Sequence, residues 1–296
     1  MPVEMIMDES EPPASAGGQI SEYERQILTD SGFCWRERDG LKVLVCRPLE
    51  DAGFVNAFST RLGGVSDFPK DSLNLAGFDE DLAENIYENR RRFLNTIGGE
   101  FKLATAWQVH GDGVKIVKDQ SDVDNSEERF DGLVSQMSDV FVGVKTADCV
   151  PVLIGDRGKK AFAAIHAGWR GTVSSIVVRA IEKLQSEFGS EPTDMIAAIG
   201  PAAGCGNYEI GNDVIEAFAE KFDGSEKYFN ATRKGHALVD LHLANKDQLL
   251  SCGVPLDAIY TAPYCTMERP DLFFSYRLEK KKFGKTGRLL SVIGRR

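Results

Sequence analysis

The stretch AFAAIHAGWRGTVSSIVVRAIEKLQSEFG, residues 161–189, decides the fold. Its first five residues, Ala161–Ile165, form a short apolar run that reads as a strand. His166-Ala167-Gly168-Trp169-Arg170-Gly171 then turns the chain. From Thr172 to Phe188 the pattern becomes helical, with Ile176, Val177, Ala180, Ile181, Leu184 and Phe188 on one face and Gly189 as the C-terminal stop. A strand feeding a helix through a six-residue turn is the signature of a mixed α/β chain.

The same alternation extends outward in both directions. Strands are expected at Leu41–Cys46, Phe54–Ser59, Val114–Val117, Val140–Val144, Pro151–Ile154, Met195–Ile199 and Leu289–Ile293, each bounded by Gly, Pro or Asp. Helices are expected at Leu82–Ile97, stopped by Gly98-Gly99, at Val214–Phe222 after Asn212-Asp213, and at Leu241–Cys252 before Gly253. Asp119–Phe130 is polar and acidic and reads as a surface loop. No repeat and no Pro/Gly/Ser linker divides the chain. Residues 26–296 are therefore expected to form one α/β (α+β) domain of mixed sheets flanked by helices. Residues 1–25 carry Glu4, Asp8, Glu9 and Glu11 and then Pro12-Pro13-Ala14-Ser15-Ala16-Gly17-Gly18. They read as a disordered acidic lead-in.

Composition narrows the function. A chain of 296 residues buries enough surface to need no disulfide staples. Cys34, Cys46, Cys149, Cys205, Cys252 and Cys265 are scattered, without a CxxC pair. Met1–Ser21 has neither the basic start nor the apolar core of a signal peptide. Together these point to a reducing cytoplasm. No apolar run reaches the ~18 residues of a membrane span, and a net charge of −10 argues against nucleic acid as a partner. That charge is unevenly spread. From Arg277 to Arg296 eight basic side chains stand against one acidic residue, Glu279, and some of these cations are candidates to face an anionic substrate.

Three segments carry residues suited to chemistry. His110 lies in Trp107-Gln108-Val109-His110-Gly111, where a strand meets a glycine turn. Cys149 lies in Thr146-Ala147-Asp148-Cys149-Val150-Pro151, a short connector between two apolar strands. His166 begins the turn quoted above. Their spacing is too long for a local zinc knuckle, so only tertiary folding brings them together. Two imidazoles and a thiolate suit a zinc ion, with the fourth position open to water or substrate. Arg170 and the N–H groups at the start of the Thr172 helix would attract an anion beside it. His236 and His242 read as a loop residue and a helix residue rather than ligands. Gly200-Pro201-Ala202-Ala203-Gly204-Cys205-Gly206 fits no Rossmann fingerprint and reads as a tight loop. HExxH, P-loop, GxSxG and the deaminase HxE/PCxxC signatures are absent.

Taken together, these segments resemble the YfiH/laccase-domain proteins, also called the polyphenol oxidase or purine nucleoside phosphorylase family. The matching pieces run in order from about residue 53 to 293: Phe58-Ser59-Thr60-Arg61 with Gly63-Gly64-Val65-Ser66, Ser72-Leu73-Asn74-Leu75, Gln108-Val109-His110-Gly111, Ala147-Asp148-Cys149-Val150-Pro151, His166-Ala167-Gly168-Trp169-Arg170-Gly171, Ile199-Gly200-Pro201, Tyr208-Glu209-Ile210-Gly211 and Phe274-Ser275-Tyr276-Arg277. The resemblance implies a YfiH-like fold and a zinc site at His110, Cys149 and His166. It implies phosphorolysis of adenosine, inosine, guanosine or methylthioadenosine, and deamination of adenosine. Purine nucleosides and inorganic phosphate are the implied partners, with the chain acting as a monomer or homodimer. Arg61, Asn74, Arg170 and Tyr276 match motif positions expected near substrate or phosphate. Asp148 is a candidate proton shuttle, or else a turn carboxylate that orients its neighbours. The family pattern has Pro-Cys-Cys ahead of the loop tyrosine, where this chain has Cys205-Gly206-Asn207, so no role is assigned to the loop thiols.

Three other readings compete. Two histidines and a cysteine also suit copper, yet four histidines are too few for a multicopper oxidase. Cys149 with His110 or His166 as base would make a cysteine hydrolase or deamidase. A zinc ion without catalysis would leave a binding protein.

Overall fold

The strand 161–165 and the helix that follows it lie at the interface of two layers of a four-layer stack. The computed structural model describes residues 22–78 and 80–296. Two six-stranded mixed sheets pack face to face. The first runs in the order Phe33–Arg38, Leu41–Cys46, Val55–Ser59, Leu289–Arg295, Val140–Thr146, Lys102–Ala104; its neighbours are antiparallel except the last pair, which is parallel. The second runs Ile259–Thr261, Met195–Ile199, Val150–Asp156, Phe162–Ala167, Gly132–Ser135, Val114–Val117, parallel at both edges and antiparallel in the middle.

Successive residues of a strand point to opposite faces, and here both faces are apolar because both are covered. Phe58, Val142, Val144 and Ile293 of the first sheet meet Leu153, Phe162 and Ala164 of the second in a shared core. Their neighbours Val152, Ile154, Ala163 and Ile165 turn the other way, onto Ile176, Ala180, Ile181 and Leu184 of the helix Ile176–Phe188. On the far side, Phe141, Leu290 and Val292 pack on Phe93 and Ile97 of the helix Ala83–Ile97. The stack is thus helix, sheet, sheet, helices. A three-stranded sheet (Glu209–Gly211, His236–Val239, Phe229–Arg233) flanks the second helical layer.

The expected strands and helices form, with ends displaced by a residue or two, and the domain is mixed α/β. Four expectations are corrected. The helix Thr172–Phe188 is two helices, Trp169–Val173 and Ile176–Phe188, broken where Ser175 adopts a left-handed φ of 62°. The loop Asp119–Phe130 contains the short helix Gln120–Asp124, which forms because the Asp119 carboxylate caps the N–H groups of Ser121 and Asp122. His236 opens a strand rather than a loop, because Gly211 pairs with it. The lead-in proposed for residues 1–25 falls mostly outside the described residues, but Glu22–Arg25 already belong to the helix Glu22–Asp30.

Candidate metal centre and cleft

Strand register explains why the three candidate ligands meet. In the second sheet Pro151 stands opposite His166 and Val150 opposite Ala167, so Cys149, one residue before its strand, reaches the level of Gly168. A Cβ on Gly168 would lie 3.0 Å from the Cys149 Sγ and 3.1 Å from His110, so only glycine leaves both side chains their places. His110 arrives from a separate loop with a left-handed φ of 61°. The ligand atoms of His110, Cys149 and His166 lie within 4.8 Å of one another. The two imidazoles meet edge to face with ring centres 4.8 Å apart.

One residue that sequence reading missed organises both histidines. Asp131 is fully buried, and the register that sets Gly132 against Ile165 places it beside His166. Its Oδ1 lies 2.7 Å from the His166 Nδ1. Its two oxygens also accept the backbone N–H groups of Val109 (3.1 Å), His110 (2.9 Å) and Gly111 (2.8 Å). Burial works against this carboxylate, but His166 and the amides outweigh it and hold its pKa below the ordinary value. Burial likewise opposes the charged forms of Cys149 and His166. Their mutual attraction wins, bringing the thiol down to about 6 and, with Asp131, the imidazole up to about 9. No sequence signal marks Asp131; only the pairing of its strand does.

The trio lies on the wall of a cleft of ≈ 1160 Å³. Trp169, Tyr208 and Tyr276 line it, together with the cations Arg90, Lys145, Arg170, Arg277 and Arg288. None of these five cations has a carboxylate within ion-pair distance among the described residues. Arg170, Arg277 and Arg288 lie over the rings of Trp169, Tyr208 and Tyr276 at 4.2, 4.8 and 5.6 Å. Arg277 and Arg288 come from the basic C-terminal segment. Lys280 of the same segment pairs with Glu80 instead. The helix after His166 starts at Trp169, so Arg170 sits in its first turn rather than ahead of it.

Asp148, Arg170 and Tyr276 line this cleft, and Asn74 and Arg61 do not. Arg61 is 1% exposed and its guanidinium is held by the Glu279 carboxylate at 2.6 Å and the Pro270 carbonyl at 2.8 Å. A cation already neutralised inside the core is not available to a phosphate, which corrects the expectation for Arg61. Asn74 lines a smaller cavity of ≈ 350 Å³. There it accepts the Arg288 N–H at 2.8 Å and so steadies the backbone of a cleft cation. The Asp148 carboxylate, whose pKa burial raises, accepts from the Thr266 and Ser275 hydroxyls and the Arg277 N–H. Both oxygens are committed to holding the Tyr276–Arg277 turn against the cleft. Among the described residues all six cysteines are free, and no helix is long and apolar enough to cross a membrane.

The chain has relatives among known proteins. Residues 55–296 match the family described as multi-copper polyphenol oxidoreductase laccase. The purine nucleoside phosphorylase of Bacteroides thetaiotaomicron is 34% identical over 244 residues, covering 79% of this chain and 89% of that one. Staphylococcus aureus YlmD, also named a purine nucleoside phosphorylase, is 33% identical over 258 residues, covering 85% and 95%. Among solved structures, YlmD from Geobacillus stearothermophilus superposes with a TM-score of 0.81 at 32% identity, covering 90% of this chain and 99% of that one. The Bacillus licheniformis hypothetical protein YfiH gives 0.80 at 28% identity, covering 88% and 99%. The two-sheet stack, the His-Cys-His cluster and these relatives place the chain in the laccase-like YfiH/YlmD family of multi-copper polyphenol oxidoreductase laccase proteins.

Proposed function

We propose that this chain is a zinc-dependent purine nucleoside enzyme. It would cleave adenosine, inosine, guanosine or methylthioadenosine with phosphate to the free base and ribose-1-phosphate or methylthioribose-1-phosphate, and deaminate adenosine to inosine. The observation that carries this reading is the convergence of His110, Cys149 and His166 on a cleft lined by aromatic rings and by cations that have no carboxylate partner among the described residues. The purine nucleoside phosphorylase names of relatives at 33–34% identity support it.

The donor set fits zinc: two imidazole nitrogens and a thiolate are its preferred ligands, and three of them leave one position open. The hydrogen bond to Asp131 keeps a proton on His166 Nδ1, so Nε2 is the nitrogen that would hold a metal once its own proton is displaced. All three side chains line the cleft and His110 is exposed, so an ion held by them would be within reach of a substrate in the cleft. Copper accepts similar donors, but His236 and His242 lie outside the cluster, so a multicopper centre lacks imidazoles. When bound, zinc supplies a Lewis acid at the cleft wall.

The chain's own residues supply the rest. Trp169, Tyr208 and Tyr276 offer aromatic faces for a purine. Breaking the bond from ribose C1′ to the base develops positive charge on the sugar and negative charge on the base, while phosphate oxygen bonds to C1′. Cations fixed in advance stabilise both the entering phosphate and the departing base. Asp148 is a positioning residue here, since it holds the turn that presents Tyr276 and Arg277. Incubation with inosine, adenosine and methylthioadenosine, with and without phosphate, is read by chromatography. Hypoxanthine released from inosine only with phosphate, and lost with zinc in Cys149→Ala, is the expected result; full turnover in that variant overturns the reading.

A second reading has one observation in its favour. Cys149, His166 and Asp131 stand in the order thiol, imidazole, carboxylate, as in cysteine hydrolases. Thiol alkylation that stops activity without releasing zinc would support it over the first.

A further inference from the structure

We propose that Arg90 and Lys145 form the phosphate subsite of the cleft. This rests on the phosphorolytic reading above and goes beyond it by assigning the group that receives the anion. The two residues come from different elements, a helix that covers the first sheet and a strand of that sheet. Arg90 stands on the helix Ala83–Ile97, and Lys145 near the end of the strand Val140–Thr146. Both line the cleft and both are half-buried.

Each donates to one backbone carbonyl, and the Arg90 guanidinium also lies over the Phe78 ring at 5.4 Å. The Arg90 Nε donates to the Leu75 carbonyl at 2.9 Å, and the Lys145 Nζ to the Ala106 carbonyl at 2.6 Å. Among the described residues, the two Nη groups of Arg90 and the other ammonium hydrogens of Lys145 have no hydrogen-bond acceptor. The acidic groups that reach Lys145 electrostatically are Asp131, already bonded to His166 and three amides, and the exposed Glu127; neither pairs with it. Two like charges that face one half-buried cleft repel, and burial penalises both. Lys145 is accordingly pushed down to about 8, by burial first and by Arg90 second. A dianion between them removes the repulsion and accepts the idle donors, and a guanidinium with an ammonium is a common phosphate clamp.

The subsite is also tied to the metal ligands. The Gln108 side chain brackets the Lys145 backbone, donating to its carbonyl at 2.7 Å and accepting its N–H at 2.7 Å. That bracket joins the strand of Lys145, four residues before Cys149, to the loop that carries His110. The remaining cations, Arg170, Arg277 and Arg288, lie on Trp169, Tyr208 and Tyr276, where a base would stack.

The test is calorimetric titration of inorganic phosphate into the zinc-loaded protein, with wild type, Arg90→Gln, Lys145→Gln, Arg90→Lys and Lys145→Arg. Melting curves check that each variant is folded. Binding about tenfold or more weaker in both glutamine variants, largely restored by the charge-retaining ones, supports the subsite whether or not inosine is cleaved. Where inosine is cleaved, the KM for phosphate rises by the same factor while the KM for inosine stays within about twofold. Unchanged phosphate affinity in both glutamine variants overturns the subsite even if phosphorolysis occurs, as does absence of phosphate binding by the wild type. Binding that obeys the first pattern without any nucleoside cleavage instead overturns the phosphorolytic reading alone.

Discussion

Asp131 shows how one side chain can serve two loops. It fixes the His166 tautomer and gathers three amides of the His110 loop, so its replacement is expected to loosen both ligands together. Asp131→Asn keeps the shape but turns one of the two accepting oxygens into a donor NH2 and removes the charge, and zinc affinity measured by chelator competition should fall about 10–100-fold. An affinity equal to wild type would show that the cluster stands without it. His110, Cys149 and His166 were readable in the sequence because each lies beside turn residues, Cys149 and His166 at strand ends and His110 in a glycine-containing loop. Asp131 was not, because its partner is chosen by register across Gly132 and Ile165. Lys145 adds a pH effect. Its unfolded-state pKa is the ordinary 10.5 and its folded value about 8, so between those values the unfolded chain binds the extra proton. Stability from this group is present above 10.5 and lost as pH falls through 8. The difference in Tm between wild type and Lys145→Met should therefore change sign-consistently in favour of wild type as pH rises from 8 to 10, and saturating phosphate should blunt the trend.

At the scale of the element, the break between Trp169–Val173 and Ile176–Phe188 shows what periodicity conceals. Apolar residues continue on one face through both helices, because both pack on the second sheet, so the pattern reads as one helix. The reversal is a backbone event at Ser175, φ 62°, and serine gives little warning of it. A left-handed serine costs about 1–2 kcal/mol, offset in part by the entropy that glycine would lose. Ser175→Gly should stabilise by up to ~1 kcal/mol, seen as a rise of about 2–4 °C in Tm, and Ser175→Val should lower it. The Asp119 cap was hidden for a related reason. A five-residue helix is too short to show a period, though its Asp119-x-x-Asp122 spacing is visible afterwards as a capping box.

At the scale of the molecule, the centre joins a loop, a strand connector and a strand end that are otherwise linked only through packing. Metal removal should therefore cost global stability. With zinc at about 100 times its Kd the linkage is worth roughly 2.7 kcal/mol, so chelation should lower Tm by about 5–10 °C and added zinc should restore it. An unchanged Tm would mean that the ligands are held equally well without the ion. The strands themselves were legible from their apolar runs, but their order was not, because order depends on contacts between distant segments. The strand Leu289–Arg295 illustrates this, for it inserts between Val55–Ser59 and Val140–Thr146 in the middle of the first sheet. During synthesis at about 5–20 residues per second, Val140–Thr146 is made roughly seven to thirty seconds before its central partner. For that interval two strand edges that end as neighbours of Leu289–Arg295 stand open to other chains, so the yield of native protein in a crowded cell depends on how quickly the last residues follow the first.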